Sequence, residues 1–465
     1  MTGVVDASHA ASDGVDAGVE IGGDAEAGGA DEVVIPGTAA GQELTWLMGL
    51  LNGPAAAITE AEVTPHFSPG FLQQVPASQL VETIQSWAAG DAPVQLRQIE
   101  SSSAGSAVPV GVPTPASVVA IVEAVGHLFF RVTLAASTGG AGPQIVGLLL
   151  TPAPETDPAL ADPAVLMARV GQVAPEARLL IANVTGTDCV EVHGLDADRP
   201  MPLGSLFKIY VLGALAADVA SGRTAWTDPV TIQERWKSLP SGVLQDEADG
   251  SMFSVAEVAG KMISISDNTA ADHLLRLVGR ERVEAYLPSM GHASPALDIP
   301  FLTTRELFQL KLGSAVDRAT FQAANPAQRR QLLDGDYDLR PLPDLAAATA
   351  WDGPIAVDTL EWFASPADVC RAFASLEKLA EAPTGATVSS ILAMNPGVML
   401  DRRVFSYVGY KGGSEPGVLT LAWLLRRAVD GQWVVATVGF SDPVNPIDET
   451  AGTYYAIAAA QMAAR

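Results

Sequence analysis

The chain is poor in the residues that metal centres, disulfide scaffolds and nucleic-acid surfaces depend on. It has 2 cysteines in 465 residues, Cys189 and Cys370, too few for a disulfide framework or a thiolate metal site; they read as buried thiols, with a single bridge as the alternative. The 6 histidines are scattered, without an H-E-x-x-H pattern or a Cys/His pairing, so neither a metal nor another cofactor is expected. Positive charge is scarce: 27 Lys and Arg stand against 53 Asp and Glu, and only six of the cations are lysines. A net charge of −26 repels nucleic acid and anionic membrane surfaces and favours solubility. The absence of a G-x-S-x-G elbow and of a P-loop argues against an α/β-hydrolase and against nucleotide-dependent chemistry. There is no apolar run of membrane-spanning length free of charge or glycine, and the start of the chain lacks the basic and apolar regions of a signal peptide. A cytoplasmic location is therefore the default expectation.

What is present is enough apolar material for two cores, at 48% hydrophobic residues. Residues 1–34, rich in Asp, Glu, Gly and Ala, read as a disordered acidic tail. Order begins near Ile35. "ELTWLMGLLNG" has helical spacing, "PHFSPGFLQQVPASQLVETIQSWAAG" predicts one or two short helices, and "AIVEAVGHLFFRVTLAAS" and "QIVGLLLTPA" each read as a strand. Residues 35–150 are thus expected to form a small α+β domain with a curved sheet on helices. His66 and His127 are lone histidines with structural roles, and no internal repeat is visible. Residues 151–163, rich in proline and acid, make the linker to a second domain over 164–465.

In that second domain, "SLFKIYVLGALAADVASGR", residues 205–223, predicts an apolar helix with Ser205 and Lys208 three apart on one face. An N-cap serine and a snorkelling lysine would be the plain explanation. Further on, Ser254 and Glu257 form a capping box for a helix to about Ile265, and Ser266, Asp267 and Asn268 interrupt it before "TAADHLLRLVG" resumes helical spacing. Three small polar side chains between two helices are costly to bury unless they are used. Near the end, "VFSYVGYKGGSEPG" is a strand ending in Lys411, Gly412 and Gly413, where glycines let a ligand approach the backbone.

S-x-x-K, then S-D-N, then K-G-G, in this order over roughly residues 165–465, resembles the motif set of class A β-lactamases and penicillin-binding proteins, whose third motif is K-T-G. The resemblance implies an α+β domain with an antiparallel five-stranded sheet, built from both ends of the domain, and a mostly helical half. The layout of "LPSG", "MISISDNTA", "FLTTRELF" and "KGGSEPGV" looks most like an actinobacterial two-domain branch. In that branch a steroid-isomerase-like or cystatin-like domain precedes the β-lactamase-like one, and one member is encoded in clavulanic acid clusters.

By the same resemblance Ser205 is the nucleophile, Lys208 its base, Ser266 the proton relay to the leaving group, and Lys411 the nearby cation that would also meet a substrate carboxylate. Asn268 would hold Lys208 and the substrate amide; Gly412, Gly413 and Ser414 would line the substrate strand, with the backbone N–H groups of Ser205 and Ser414 as oxyanion donors. Asp267 is expected to shape its loop, His273 to pack, and Ser241 to be loop structure near the mouth of the cleft. One departure stands out. Class A enzymes deacylate with a glutamate in an R-x-E-x-x-L-N loop, whereas here Arg305 and Glu306 are adjacent, no asparagine follows, and Thr303 with Glu306 fits a capping box. The expected function is a serine hydrolase acting on a small β-lactam, ester or related amide, with weak β-lactamase or esterase activity. Its alternatives are a D-alanyl-D-alanine carboxypeptidase or transpeptidase, and a binding or biosynthetic accessory protein that does not turn over.

Overall fold

The computed structural model describes residues 33–105, 114–139 and 142–465. All but the last two residues of the expected acidic tail lie outside the described residues. The chain divides into two compact units, the first ending at Pro158 and the second spanning Ala159–Arg465.

The first unit begins with helices α1 (Ala39–Leu51), α2 (Glu60–Val63), α3 (Pro69–Gln74) and α4 (Ala77–Gly90). Strands β1 (Gln95–Ser103), β2 (Ala116–Ala124), β3 (Leu128–Gly139) and β4 (Gly142–Pro152) follow and pair antiparallel in that order. The Thr38 side chain caps α1 by accepting from the Gly41 N–H, and Leu44, Leu47 and Leu51 carry its apolar stripe into the core. The stretch read as one strand from Ala120 onward is two. Gly126 and His127, at φ 77° and 60°, turn the chain between β2 and β3, and left-handed backbone of this kind cannot continue a strand. Strand β1, "QLRQIESSS", has no apolar alternation to mark it as a strand in the sequence. His66 stacks on Trp46 at 3.8 Å and its Nδ1 lies 2.8 Å from Glu43; His127 Nδ1 is 2.6 Å from Glu123. Short 3-10 turns at Pro154–Thr156 and Pro158–Ala161 occupy much of the segment read as a linker.

The second unit contains α5 (Pro163–Val170), β5 (Glu176–Thr185), β6 (Asp188–Leu195), β7 (Met201–Pro202), α6 (Lys208–Ala220), β8 (Pro229–Thr231), β9 (Met252–Ser254), α7 (Val255–Ser264) and α8 (Asn268–Val278). These are followed by α9 (Arg280–Tyr286), α10 (Thr304–Lys311), α11 (Ala315–Ala323), α12 (Pro326–Gly335), α13 (Leu345–Thr349), β10 (Phe363–Ala364), α14 (Pro366–Ala380), α15 (Ala386–Ala393), β11 (Phe405–Glu415), β12 (Val418–Arg427), β13 (Trp433–Ser441) and α16 (Glu449–Met462). The main sheet has five antiparallel strands in the order β11-β12-β13-β5-β6, so both ends of the unit contribute to it. Helix α14 packs on β13, β5 and β6, while α16 and the turn Gly204–Phe207 pack on β12, which is buried at every position from Val418 to Leu425. Cys189 on β6 and Cys370 on α14 are joined in a disulfide, which corrects the reading of two buried thiols. Their 181-residue separation hid the pairing. Among the described residues no helix is long and apolar enough to cross a membrane.

Candidate active site

Ser205 and Lys208 do not sit on one α-helix as the pattern predicts. Ser205 lies in a 3-10 turn, Gly204–Phe207, and α6 begins only at Lys208 and ends at Ala220, short of the expected 223. Gly204 sets this turn: its φ is 48°, and a Cβ there would come within 3.2 Å of the Gly413 carbonyl carbon and the Ser414 nitrogen on β11. Turn and strand are therefore pressed together backbone to backbone, and a Cβ on Gly413 would likewise meet the Leu206 nitrogen at 2.7 Å. Helix α6 is buried on nearly every side, and Phe207 stacks on Trp362 at 3.7 Å beneath the turn. Lys208 thus has no route to solvent. It is 0% exposed, which removes the snorkelling explanation.

Four polar atoms surround the Lys208 amine. Its Nζ is 2.6 Å from the Ser266 carbonyl, 2.6 Å from Asn268 Oδ1, 3.0 Å from Ser205 Oγ and 3.0 Å from Ser266 Oγ. The Asn268 amide orientation is consistent, since Nδ2 donates to the Leu239 carbonyl at 3.1 Å. Both short contacts are to pure acceptors, so a neutral amine would spend its two N–H bonds on them and keep its lone pair for a hydroxyl. Burial, and then the charge of Lys411, hold Lys208 well below the usual lysine range. Among the described residues no carboxylate bonds to it. Lys411 reaches the same cluster from β11: its Nζ donates to Ser266 Oγ at 3.0 Å and to the Gly412 carbonyl, and burial lowers its pKa to about 7.

The S-D-N residues are fixed from several directions. Ser266 has φ 56°, a left-handed backbone that costs a non-glycine residue about 1–3 kcal/mol. Its carbonyl accepts from Lys208 and from Ser241 Oγ at 2.8 Å. Asp267 caps α8 through the Ala270 N–H and also accepts from the Val243 and Leu244 N–H groups, which is the loop-shaping role expected of it. The Asn268 N–H donates to the Ser241 carbonyl at 3.0 Å. Ser241 therefore braces the site from the loop before it, a closer involvement than its sequence position implied. His273 is buried, with Nδ1 bonded to the Thr269 carbonyl and Nε2 to the Gln233 N–H.

Ser205, Lys208, Ser266, Asn268 and Lys411 are thus one bonded cluster, and Gly413 and the Ser414 nitrogen lie against the turn that carries Ser205. Residues 174–394 match the family described as Beta-lactamase enzyme family. The second unit is a β-lactamase-like domain. Residues 35–118 match the family described as ORF 12 gene product N-terminal. No curated protein matches the chain. Among solved structures, a β-lactamase from Sphaerobacter thermophilus is 22% identical with a TM-score of 0.45, covering 65% of this chain and 98% of its own. A β-lactamase from Chitinophaga pinensis is 17% identical with a TM-score of 0.44, covering 63% of this chain and 95% of its own. A structure described as PBP-A is 18% identical with a TM-score of 0.41, covering 63% of this chain and 92% of its own.

In this β-lactamase-like domain Glu306 is engaged elsewhere. Its backbone N–H donates to Thr303 Oγ1, its carboxylate accepts from the Thr303 N–H, and Arg280 grips both of its oxygens at 2.5 and 3.0 Å. The capping box anticipated from the sequence is present. Asp272, which no sequence pattern had flagged, accepts from the Thr304 and Arg305 N–H groups and ties α8 to the start of α10. Burial raises its pKa to about 6.

Proposed function

We propose that the chain is a serine hydrolase that forms an acyl-enzyme through Ser205. The observation that carries this reading is a fully buried lysine amine, without a carboxylate partner, 3.0 Å from the Ser205 hydroxyl. A hydroxyl at its ordinary pKa is a weak nucleophile, and a neutral amine at hydrogen-bond distance is a base suited to it. In the forward step Ser205 Oγ bonds the substrate carbonyl carbon while its proton passes to Lys208 Nζ. The carbonyl oxygen takes the electron pair, held by the N–H groups of Ser205 and Ser414. As the carbonyl re-forms, the bond to the leaving nitrogen or oxygen breaks, and that atom receives a proton through Ser266 Oγ, which touches both Lys208 and Lys411 at 3.0 Å.

β-Lactams and esters of similar size are the proposed substrates, with slow release of the acyl group. Glu306, committed to Arg280 and its helix cap, supports slow deacylation; the same observation favours, as a second reading, an accessory protein that acylates without useful turnover. The match of residues 35–118 supports the two-domain branch named above. The Cys189–Cys370 bridge favours an oxidising environment over the cytoplasmic default.

The test is intact-protein mass spectrometry after incubation with a fluorescent penicillin or a 3'-acetoxy cephalosporin, with the small-molecule products followed in parallel. A persistent adduct on wild type that is absent from Ser205→Ala is the expected result. Neither adduct nor Ser205-dependent product on either compound would sink the hydrolase reading.

A further inference from the structure

Among the residues of β12 from Val418 to Leu425, Thr420 alone is neither aliphatic nor aromatic. It is 0% exposed, and burying a hydroxyl is unfavourable unless the group is bonded. Thr437 on β13 is equally buried, and its hydroxyl has no hydrogen-bond partner among the described residues. Thr420 differs in what it meets. Its Oγ1 donates to the Leu203 carbonyl at 2.7 Å, 217 positions away, and lies 3.3 Å from the Gly413 carbonyl on the neighbouring strand.

Each of these carbonyls stands behind one backbone donor of the oxyanion hole. The Leu203 carbonyl also accepts from the Leu206 N–H at 3.2 Å, the bond that closes the 3-10 turn carrying Ser205. The Gly413 carbonyl belongs to the same planar peptide unit as the Ser414 N–H, so its direction sets where that N–H points. Contact between Gly204 and Gly413 brings the turn and the strand close together. Closeness does not fix how each peptide is rotated, and a hole donor acts only when it is aimed at the oxygen on which charge develops. Thr420 faces Gly413 across the ladder, and from there its hydroxyl reaches both arms.

We propose that Thr420 is a positioning residue of the oxyanion hole, holding the Ser205 turn and the peptide before Ser414 at the separation and tilt at which both N–H groups meet one carbonyl oxygen. This rests on the serine hydrolase reading and leaves the proton transfer between Ser205 and Lys208 as described.

The experiment measures the second-order rate of Ser205 acylation by 4-nitrophenyl acetate and by its thiono analogue, in which sulfur replaces the carbonyl oxygen. Sulfur is a poor hydrogen-bond acceptor, so the thiono ester reports attack and proton transfer with little help from the hole. Valine keeps the branched shape of threonine without the hydroxyl, and melting curves check that each variant is folded at the assay temperature. Thr420→Val should slow the oxygen ester by about 10- to 100-fold and the thiono ester by less than about 2-fold. Thr420→Ser, which keeps the hydroxyl, should recover most of the loss, and Thr437→Val should change neither rate. Should Thr420→Val fail to fold, the same comparison is read on Thr420→Ala. Equal losses on the two esters, no loss on either, or no recovery with serine overturns the proposal and leaves Thr420 as packing while Ser205 chemistry stands. If neither ester acylates wild type in a Ser205-dependent way, the hydrolase reading fails and this role falls with it.

Discussion

Lys208 and Lys311 are both 0% exposed, yet their surroundings push their pKa values in opposite directions. At the end of α10 the Lys311 amine is 2.7 Å from Glu361 and is also bonded to Glu415. Burial pulls its pKa down, but the two carboxylates outweigh that and hold it above the usual lysine range. Lys208 is bonded only to hydroxyls and carbonyl oxygens; burial and the charge of Lys411 outweigh the more distant carboxylates of Asp272 and Asp267, so its pKa falls. Burial sets how much a charge costs; the partners decide whether it is kept. Lys311 can therefore tie α10 to β11 and to the segment before Trp362, whereas Lys208 is suited to receive a proton.

The largest expected effects separate the two lysines. Lys208→Met should lower the acylation rate by about 10²- to 10⁴-fold while leaving a folded protein. Lys311→Met strands Glu361 and Glu415 and should cost about 3–5 kcal/mol of stability, read by denaturant unfolding. If the two variants behaved alike, the contrast would be lost. Reduction of Cys189–Cys370 is a control that touches neither amine: it should lower stability by about 2–4 kcal/mol without moving the pH dependence of acylation.

Asn268→Asp makes Lys208 resemble Lys311 by placing a carboxylate on its amine. Its pKa should rise by about 1–3 units, so that the rising limb of the acylation profile moves to higher pH by the same amount. Stability should follow pH with opposite signs. Between about 7 and its ordinary value of 10.5, Lys411 is neutral when folded and protonated when unfolded, so its contribution to stability increases as pH rises through that window. Lys311 is the reverse: its contribution is complete below the ordinary lysine value and is lost as pH rises through the higher folded one. The smallest effect concerns the other end of α10. Thr303→Ala should cost about 1 kcal/mol through loss of the cap and leave the deacylation rate unchanged, as expected if Glu306 is structural.

The three motifs were legible because S-x-x-K, S-D-N and K-G-G are short and local, and the capping boxes at Ser254 and Thr303 were legible for the same reason. What brings the motifs together was not. Lys208 and Ser266 are 58 positions apart and Lys411 and Ser266 are 145 apart, distances over which no periodicity carries information. Ser241 reads in the sequence only as loop structure near the mouth of the cleft, because the bonds that bring it to the site reach across to Ser266 and Asn268. The Lys311 pair was equally hidden, since Glu361 and Glu415 are 50 and 104 positions away.

Sequence alone determined the types of reactive group, their order along the chain, and the helix caps and strand patterns that frame them, because each depends on residues within a turn or two of one another. Tertiary structure alone decided that Lys208 is sealed from water without a carboxylate, that the Ser205 turn lies against Gly413, and that Cys189 meets Cys370. Those outcomes depend on dielectric surroundings and on distances through space, and neither is set by neighbours in the chain.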